Sequence, residues 1–324
     1  MTAARFLAGR DLVSIEGGNG LVAPLARRLW DEAPPDRGGA STVRAEVRIR
    51  VEVTTGPVDA DPERESRWTL GAEELRLDAP GILLRVRPVE GVAEARVARA
   101  LLEGQPRVAA RLLLETPVTL AKMTWMQLLH AGALVGPGGA VVVRGPAGAG
   151  KSTLVAAGWK AGLGVLGDES LLVDRDDPDS LESTLRDLAL SPFSASLLGI
   201  EERTLPAFTG GEEKRRVPLF SSSGPSDRSA RRVATLLLGP REPGPARLVP
   251  LGREELLALF EEGAIPQERA FGADPAPVAR TWAAARSFRL DGAVDLDGAV
   301  EIVTELTNRP DGRTFFYTPS QQKI

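Results

Sequence analysis

The sequence contains no cysteine and, in 324 residues, one histidine, His130. Without a thiol, disulfides, thiolate nucleophiles and Cys-ligated zinc or iron–sulfur sites are excluded. A single imidazole equally excludes any centre that needs two or three. Lysine is scarce too: of 40 basic residues five are lysine, at positions 122, 151, 160, 214 and 323, a bias that reads as GC-rich coding rather than function. No charge of one sign dominates, since 44 acidic residues give a net charge of −4 and a pI near 5.4. A dedicated nucleic-acid binder, with its clustered basic surface, is therefore not expected. Long apolar runs are missing as well. The apolar stretch 131–143 is interrupted by Gly and Pro and is too short for a membrane span. Residues 1–12 are broken by Arg5 and Arg10 and hold no apolar signal core. The expectation is a soluble, cytoplasmic protein with no membrane and no nucleic-acid partner, whose chemistry rests on carboxylates, hydroxyls, Lys, Arg, backbone amides and a hard metal ion.

What is present is ordinary globular material. Apolar residues make up 43% and charged residues 26%, and the length suits one large or two modest domains. In the first third, Val43, Ala45, Val47, Ile49, Val51 and Val53 alternate with Arg44, Glu46, Arg48, Arg50 and Glu52, the period of a half-buried strand. Residues 55–66 read as a loop, 74–77 and 82–87 as strands, and 21–30 as a helix over the sheet. A helix is expected over 117–129, then two short strands around the turn Gly136-Pro137-Gly138-Gly139. Beyond lie a helix at 152–161, strands at 164–166 and 171–173, a polar loop over 210–232, a strand at 234–238, a helix at 254–262 and a terminal helix at 276–286. The expected domains are a β-rich module over 1–116, for oligomerisation or substrate recognition, and a catalytic domain over 117–324.

The strongest motif is Gly145-Pro146-Ala147-Gly148-Ala149-Gly150-Lys151-Ser152, followed by Thr153, which fits G-x-x-x-x-G-K-[ST]. The apolar strand 140–143 precedes it and a helix start follows it. Glycines let successive backbone N–H groups turn toward a phosphate, and the helix N-terminus adds partial positive charge. Lys151 then reaches the β- and γ-phosphates, and the Ser152 hydroxyl ligates Mg²⁺. The loop predicts binding of a nucleoside triphosphate.

Two further positions gather there. If Val135 and Ala140 flank the hairpin turn, antiparallel pairing sets His130 opposite Gly145; the alternative is a packed imidazole with no role. Asp168-Glu169 follows the apolar strand at 164–166, at the end of a strand where ligands bind in α/β sheets. One of these carboxylates can bind Mg²⁺, and one can take the proton from an incoming hydroxyl. The competing reading is a solvated turn, as expected for Asp174, Asp176 and Asp177 nearby.

These residues carry a resemblance. The stretch 129–173, with Leu129-His130-Ala131-Gly132 first, the Gly145–Ser152 loop next and Leu166-Gly167-Asp168-Glu169-Ser170 after it, resembles the HPr kinase/phosphorylase superfamily. That family shows a His some fifteen residues before the loop and an acidic pair ending the next strand. The resemblance implies an α/β P-loop kinase core, related to that of ATP-dependent phosphoenolpyruvate carboxykinase, beside a smaller β-rich α+β N-terminal domain. It implies transfer from ATP to a serine hydroxyl with Asp168 as base and His130 as its partner, and assembly into a homo-oligomer. The pair here is Asp-Glu where two Asp are usual, which leaves the second role open. A later segment tied to the reverse, phosphorylase reaction is not found, and the chain is closer to HPr-kinase-related proteins, some acting on peptides in natural-product pathways. Those carry a basic stretch like Glu213-Lys214-Arg215-Arg216, where Lys214 and Arg215 would close over the phosphates from a mobile loop; a solvated basic loop is the plainer alternative.

The leading expectation is thus a Mg²⁺- and ATP-dependent phosphotransferase acting on Ser or Thr of a peptide or protein. The alternatives are a nucleotide-binding regulatory module or slow ATPase, and a kinase for a small hydroxyl metabolite. A pure binder has no need of an acid–His pair, which this chain retains.

Overall fold

Period-two alternation builds the first sheet. In the computed structural model, which describes residues 4–8, 11–32, 44–183, 187–200, 205–209, 212–218, 229–240 and 242–308, the chain is a mixed α/β protein with several sheets. It divides into two compact units: 1–126 with 205–228 and 269–273, and 127–204 with 229–268 and 274–324. The sequence-predicted boundary lies at 116/117.

In the first unit the strand Ala45–Thr54 points Val47, Ile49 and Val51 inward and leaves Arg48, Arg50 and Glu52 in solvent. It lies parallel to Asp11–Gly17 on one side and to Val92–Ala98 on the other. Strands Ile82–Arg87, Leu75–Ala79 and Arg67–Leu70 continue an eight-stranded sheet by antiparallel pairing. Helix Thr116–Lys122 packs on Ala45–Thr54 and Ile82–Arg87, and its Lys122 ammonium lies 3.3 Å from the buried Asp11 carboxylate. The helix expected over 117–129 therefore ends early, and Met126–Leu129 is a strand of the second sheet. A strand buried on both faces has no period to distinguish it from a helix.

The polar loop expected over 210–232 is also corrected. Leu205–Thr209 and Glu212–Pro218 form an antiparallel hairpin in the first unit, with Ala207 opposite Lys214 and Pro206 opposite Arg215. Residues 219–228 lie outside the described residues, and the next strand begins at Ser229 rather than 234. Leu205–Thr209 is too short, and 212–216 too uniformly charged, to show an alternation of apolar and polar residues.

The second unit is built on a nine-stranded sheet. Strand Gly139–Arg144 sits antiparallel to Gly132–Gly136 and parallel to Ser229–Leu238, which in turn runs parallel to Ser287–Asp291. The helix expected to end the fold, Ala276–Ala283, is followed by that last strand and by helix Leu296–Asn308. Helix Lys151–Lys160 packs on Gly132–Gly136 and against Leu296–Asn308. Its Gly158 permits the approach: a Cβ there would come within 2.5 Å of Leu134 Cδ1. Beside the sheet, Val142, Leu171, Phe260 and Trp282 share one core cluster, with the two aromatic rings edge-on at 6.0 Å. Among the described residues no helix is long and apolar enough to cross a membrane.

Candidate functional site

The hairpin has the register its turn dictates. Val135 pairs with Ala140 and Gly132 with Val143, so two residues further His130 comes across from Gly145. Strand Gly164–Gly167 lies on the other side of Gly132–Gly136, with Ala133 paired to Gly167, and therefore ends with Asp168 and Glu169 beside the same place. A hydrogen bond closes the gap: His130 Nδ1 lies 3.0 Å from the Glu169 carbonyl oxygen. A carbonyl only accepts, so Nδ1 carries the proton and a neutral imidazole presents its lone pair at Nε2. Sequence-predicted residues from three separate segments thus meet at the Gly145–Ser152 loop.

The loop leaves a strand buried from Ala140 to Arg144 and turns into a ten-residue helix, Lys151–Lys160. Gly148 and Gly150 hold φ of 77° and 104°, a region an L side chain rarely enters, which explains glycine at these two positions. Ala147 and Gly148 are exposed, Pro146, Ala149 and Gly150 half-buried. The Lys151 ammonium is buried and folds back, donating to the Gly145 carbonyl at 2.9 Å and the Pro146 carbonyl at 3.1 Å. The Ser152 side chain is half-buried, and Thr153 Oγ1 lies 2.8 Å from Ser194 Oγ. Thr153 is therefore tied to the helix Pro192–Leu197, which Ser191 caps.

Asp168 is 1% exposed, and its Oδ2 accepts the Ala189 N–H at 3.0 Å. Glu169 is half-buried and Asp174, expected in solvent, is buried with Oδ1 accepting the Asp176 N–H at 2.9 Å. Among the described residues no three His, Cys, Asp or Glu side chains cluster as a metal cage. Ser152, Asp168 and Glu169 supply only hard oxygen donors, which fits Mg²⁺, an ion bound by one or two carboxylates together with substrate phosphates and water. Lys214 and Arg215 belong to the hairpin strand of the first unit, not to a loop.

His130 is held neutral. Burial, first, and the positive charge of Lys151, second, push its pKa below the ordinary 6.5, against the opposing pull of the Glu169 carbonyl and the Glu169 and Glu268 carboxylates. The sign for stability follows: above pH 6.5 both folded and unfolded chains are neutral here, and below it the unfolded chain takes up the proton first, so stability is lost as pH falls. NMR titration of this sole histidine should give a midpoint below 6.5; a midpoint at or above that value would contradict the burial of the ring beside a lysine.

Sequence reading missed Arg144 and Glu268. Arg144 ends the apolar strand directly before the loop, is fully buried, and makes two parallel bonds of 2.9 Å to the Glu268 carboxylate. Its Nε donates to the Phe260 carbonyl at 3.0 Å, and the guanidinium lies 4.0 Å from the Phe260 ring centroid. Truncating one partner of such a pair costs about 3–5 kcal/mol, because the other charge stays buried without compensation. An arginine inside an otherwise apolar strand was the available signal. It shows that a counter-charge is needed without showing which.

A groove of about 980 Å³ over the solvent face of the first unit's sheet is lined by Arg50, Arg67, Arg76, Arg85 and Arg96. Surface carboxylates largely neutralise it: Glu16 lies 3.1 Å from Arg50, Glu52 2.8 Å from Arg96, and Glu74 contacts both Arg76 and Arg85. Its attraction for anions is correspondingly small.

The chain matches no protein-family model, and no curated protein matches it.

Proposed function

We propose that this protein is a Mg²⁺- and ATP-dependent phosphotransferase with a P-loop kinase core of the HPr kinase type, moving the γ-phosphoryl group to a hydroxyl of a peptide or protein. The observation that carries the reading is the convergence of His130, Lys151 and the Asp168-Glu169 turn on one glycine-rich loop between an apolar strand and a helix. The loop's amides and Lys151 would hold the triphosphate, with Lys151 exchanging its two carbonyl partners for phosphate oxygens. Ser152 and one carboxylate of the pair would hold Mg²⁺, which offsets charge on the phosphates. Asp168 takes the proton of the acceptor hydroxyl as its oxygen approaches phosphorus, and His130, neutral and protonated at Nδ1, presents Nε2 toward that chemistry. Little covalent work is asked of the protein; positioning and electrostatics supply the rate. A homo-oligomer and a cytoplasmic supply of ATP belong to the same reading.

A regulatory nucleotide binder is favoured by one observation, the Lys151 ammonium satisfied by the loop's own carbonyls. The deciding experiment is ³¹P NMR of the protein with Mg²⁺-ATP, alone and with free serine or Ser-containing peptides. A new phosphomonoester signal is expected with the peptides. A signal only with free serine would make it a metabolite kinase. Unchanged ATP in every mixture, with binding demonstrated, would replace the kinase by the regulatory module.

A further inference from the structure

His130 stands where the chain leaves strand Met126–Leu129 and enters strand Gly132–Gly136. At this crossover its backbone is gripped by an ion pair. The His130 N–H donates to Glu268 Oε1 at 2.7 Å, Arg144 Nη1 donates to the same Oε1 at 2.9 Å, and Nη1 reaches the His130 carbonyl at 3.4 Å. Amide, carboxylate, guanidinium and carbonyl close a ring around one residue. Gln127 fixes the far side, its Nε2 donating to the Glu268 carbonyl at 2.7 Å and to the Leu128 carbonyl at 2.8 Å. Arg144 is also the residue that delivers Gly145, whose carbonyl takes the Lys151 ammonium. A Cβ on Gly263 would sit 3.1 Å from that carbonyl oxygen, so the segment after helix Arg253–Glu262 abuts the start of the loop.

Stability alone does not call for such an arrangement, since well-packed apolar residues commonly replace a buried ion pair at no loss. What an apolar pair lacks is direction. A two-pronged guanidinium–carboxylate contact fixes both planes, and here the fixed planes hold the backbone of the only histidine in the chain. We propose that Arg144 and Glu268 are positioning residues: their ion pair orients His130 and the first residue of the Gly145–Ser152 loop relative to each other. This rests on the reading of the site as a phosphotransferase only for its effect on turnover.

The single histidine gives a direct readout, because the imidazole nitrogens of the ¹⁵N-labelled protein produce one set of signals. The wild type should show the tautomer protonated at Nδ1. In Arg144→Met/Glu268→Leu, shown to be folded by circular dichroism, a mixture of tautomers is expected. Turnover should fall about 30–100-fold with KM for ATP changed by less than about threefold. If the double variant does not fold, Arg144→Gln/Glu268→Gln, which removes both charges together, makes the same comparison. A folded double variant with the wild-type tautomer overturns the proposal, and so does a changed tautomer at undiminished turnover. Should the wild type transfer no phosphoryl group at all, the kinase reading fails separately, and the tautomer comparison decides the positioning role by itself.

Discussion

Asp168→Asn is expected to lower phosphoryl transfer about 10²–10⁴-fold, the range a positioned general base contributes. The change is nearly isosteric, and Asn retains an oxygen to accept the Ala189 N–H that Asp168 Oδ2 now takes, so the fold should be spared. What disappears is a basic oxygen in a place 1% exposed, where water offers little substitute. Nucleotide affinity should stay within about threefold, since the proposed phosphate site is the loop and not this strand end. Single-turnover transfer and calorimetric titration with nucleotide, run on the same preparation, separate the two effects. Full transfer activity in the variant would remove Asp168 from the role of base. A parallel loss of nucleotide binding in the presence of Mg²⁺ would move it to metal ligation.

Lys151→Ala should reduce turnover by at least about 10²–10³-fold and also weaken nucleotide binding, the signature of a charge used both in the ground state and in the transition state. The lysine is buried to 6% exposure, and its ammonium donates to two carbonyls of its own loop. An anionic ligand answers a buried ammonium more strongly than a carbonyl does. Its removal also relieves His130 of the charge that helps depress its pKa, so the histidine midpoint should rise in this variant. Lys151→Arg is not expected to rescue activity, because a planar fork does not fit a position occupied by a folded-back point charge. Unaltered nucleotide affinity in Lys151→Ala would mean that the loop does not hold the phosphates.

The parts of the site legible in the sequence are those with local causes. The loop is written in glycines that its backbone requires, as φ of 77° at Gly148 and 104° at Gly150 demonstrates. The distance between His130 and Gly145 follows from a hairpin whose turn residues, Gly136 to Gly139, fix the register. The strand Ala45–Thr54 is readable because one face is wet and the other dry. Where that contrast fails, so does the reading. Met126–Leu129 is buried almost throughout, its Gln127 included, and passes for a helix end, and 212–216 is an unbroken run of charged residues and passes for a loop.

By itself, then, the sequence determined the strand–loop–helix around Lys151, the hairpin that returns His130 to it, and the acidic pair that ends the following strand. Each depends on torsional preferences or on pairing between close neighbours in the chain. Only the tertiary structure decided which carboxylate meets the buried Arg144, since Glu268 lies 124 residues away in an unremarkable segment. It also decided that Lys214 and Arg215 sit on a paired strand of the first unit. The physical reason is common to both. A buried charge requires a partner of opposite sign, and a polar strand requires a neighbour to take its amides, but neither requirement specifies where along the chain that partner must come from.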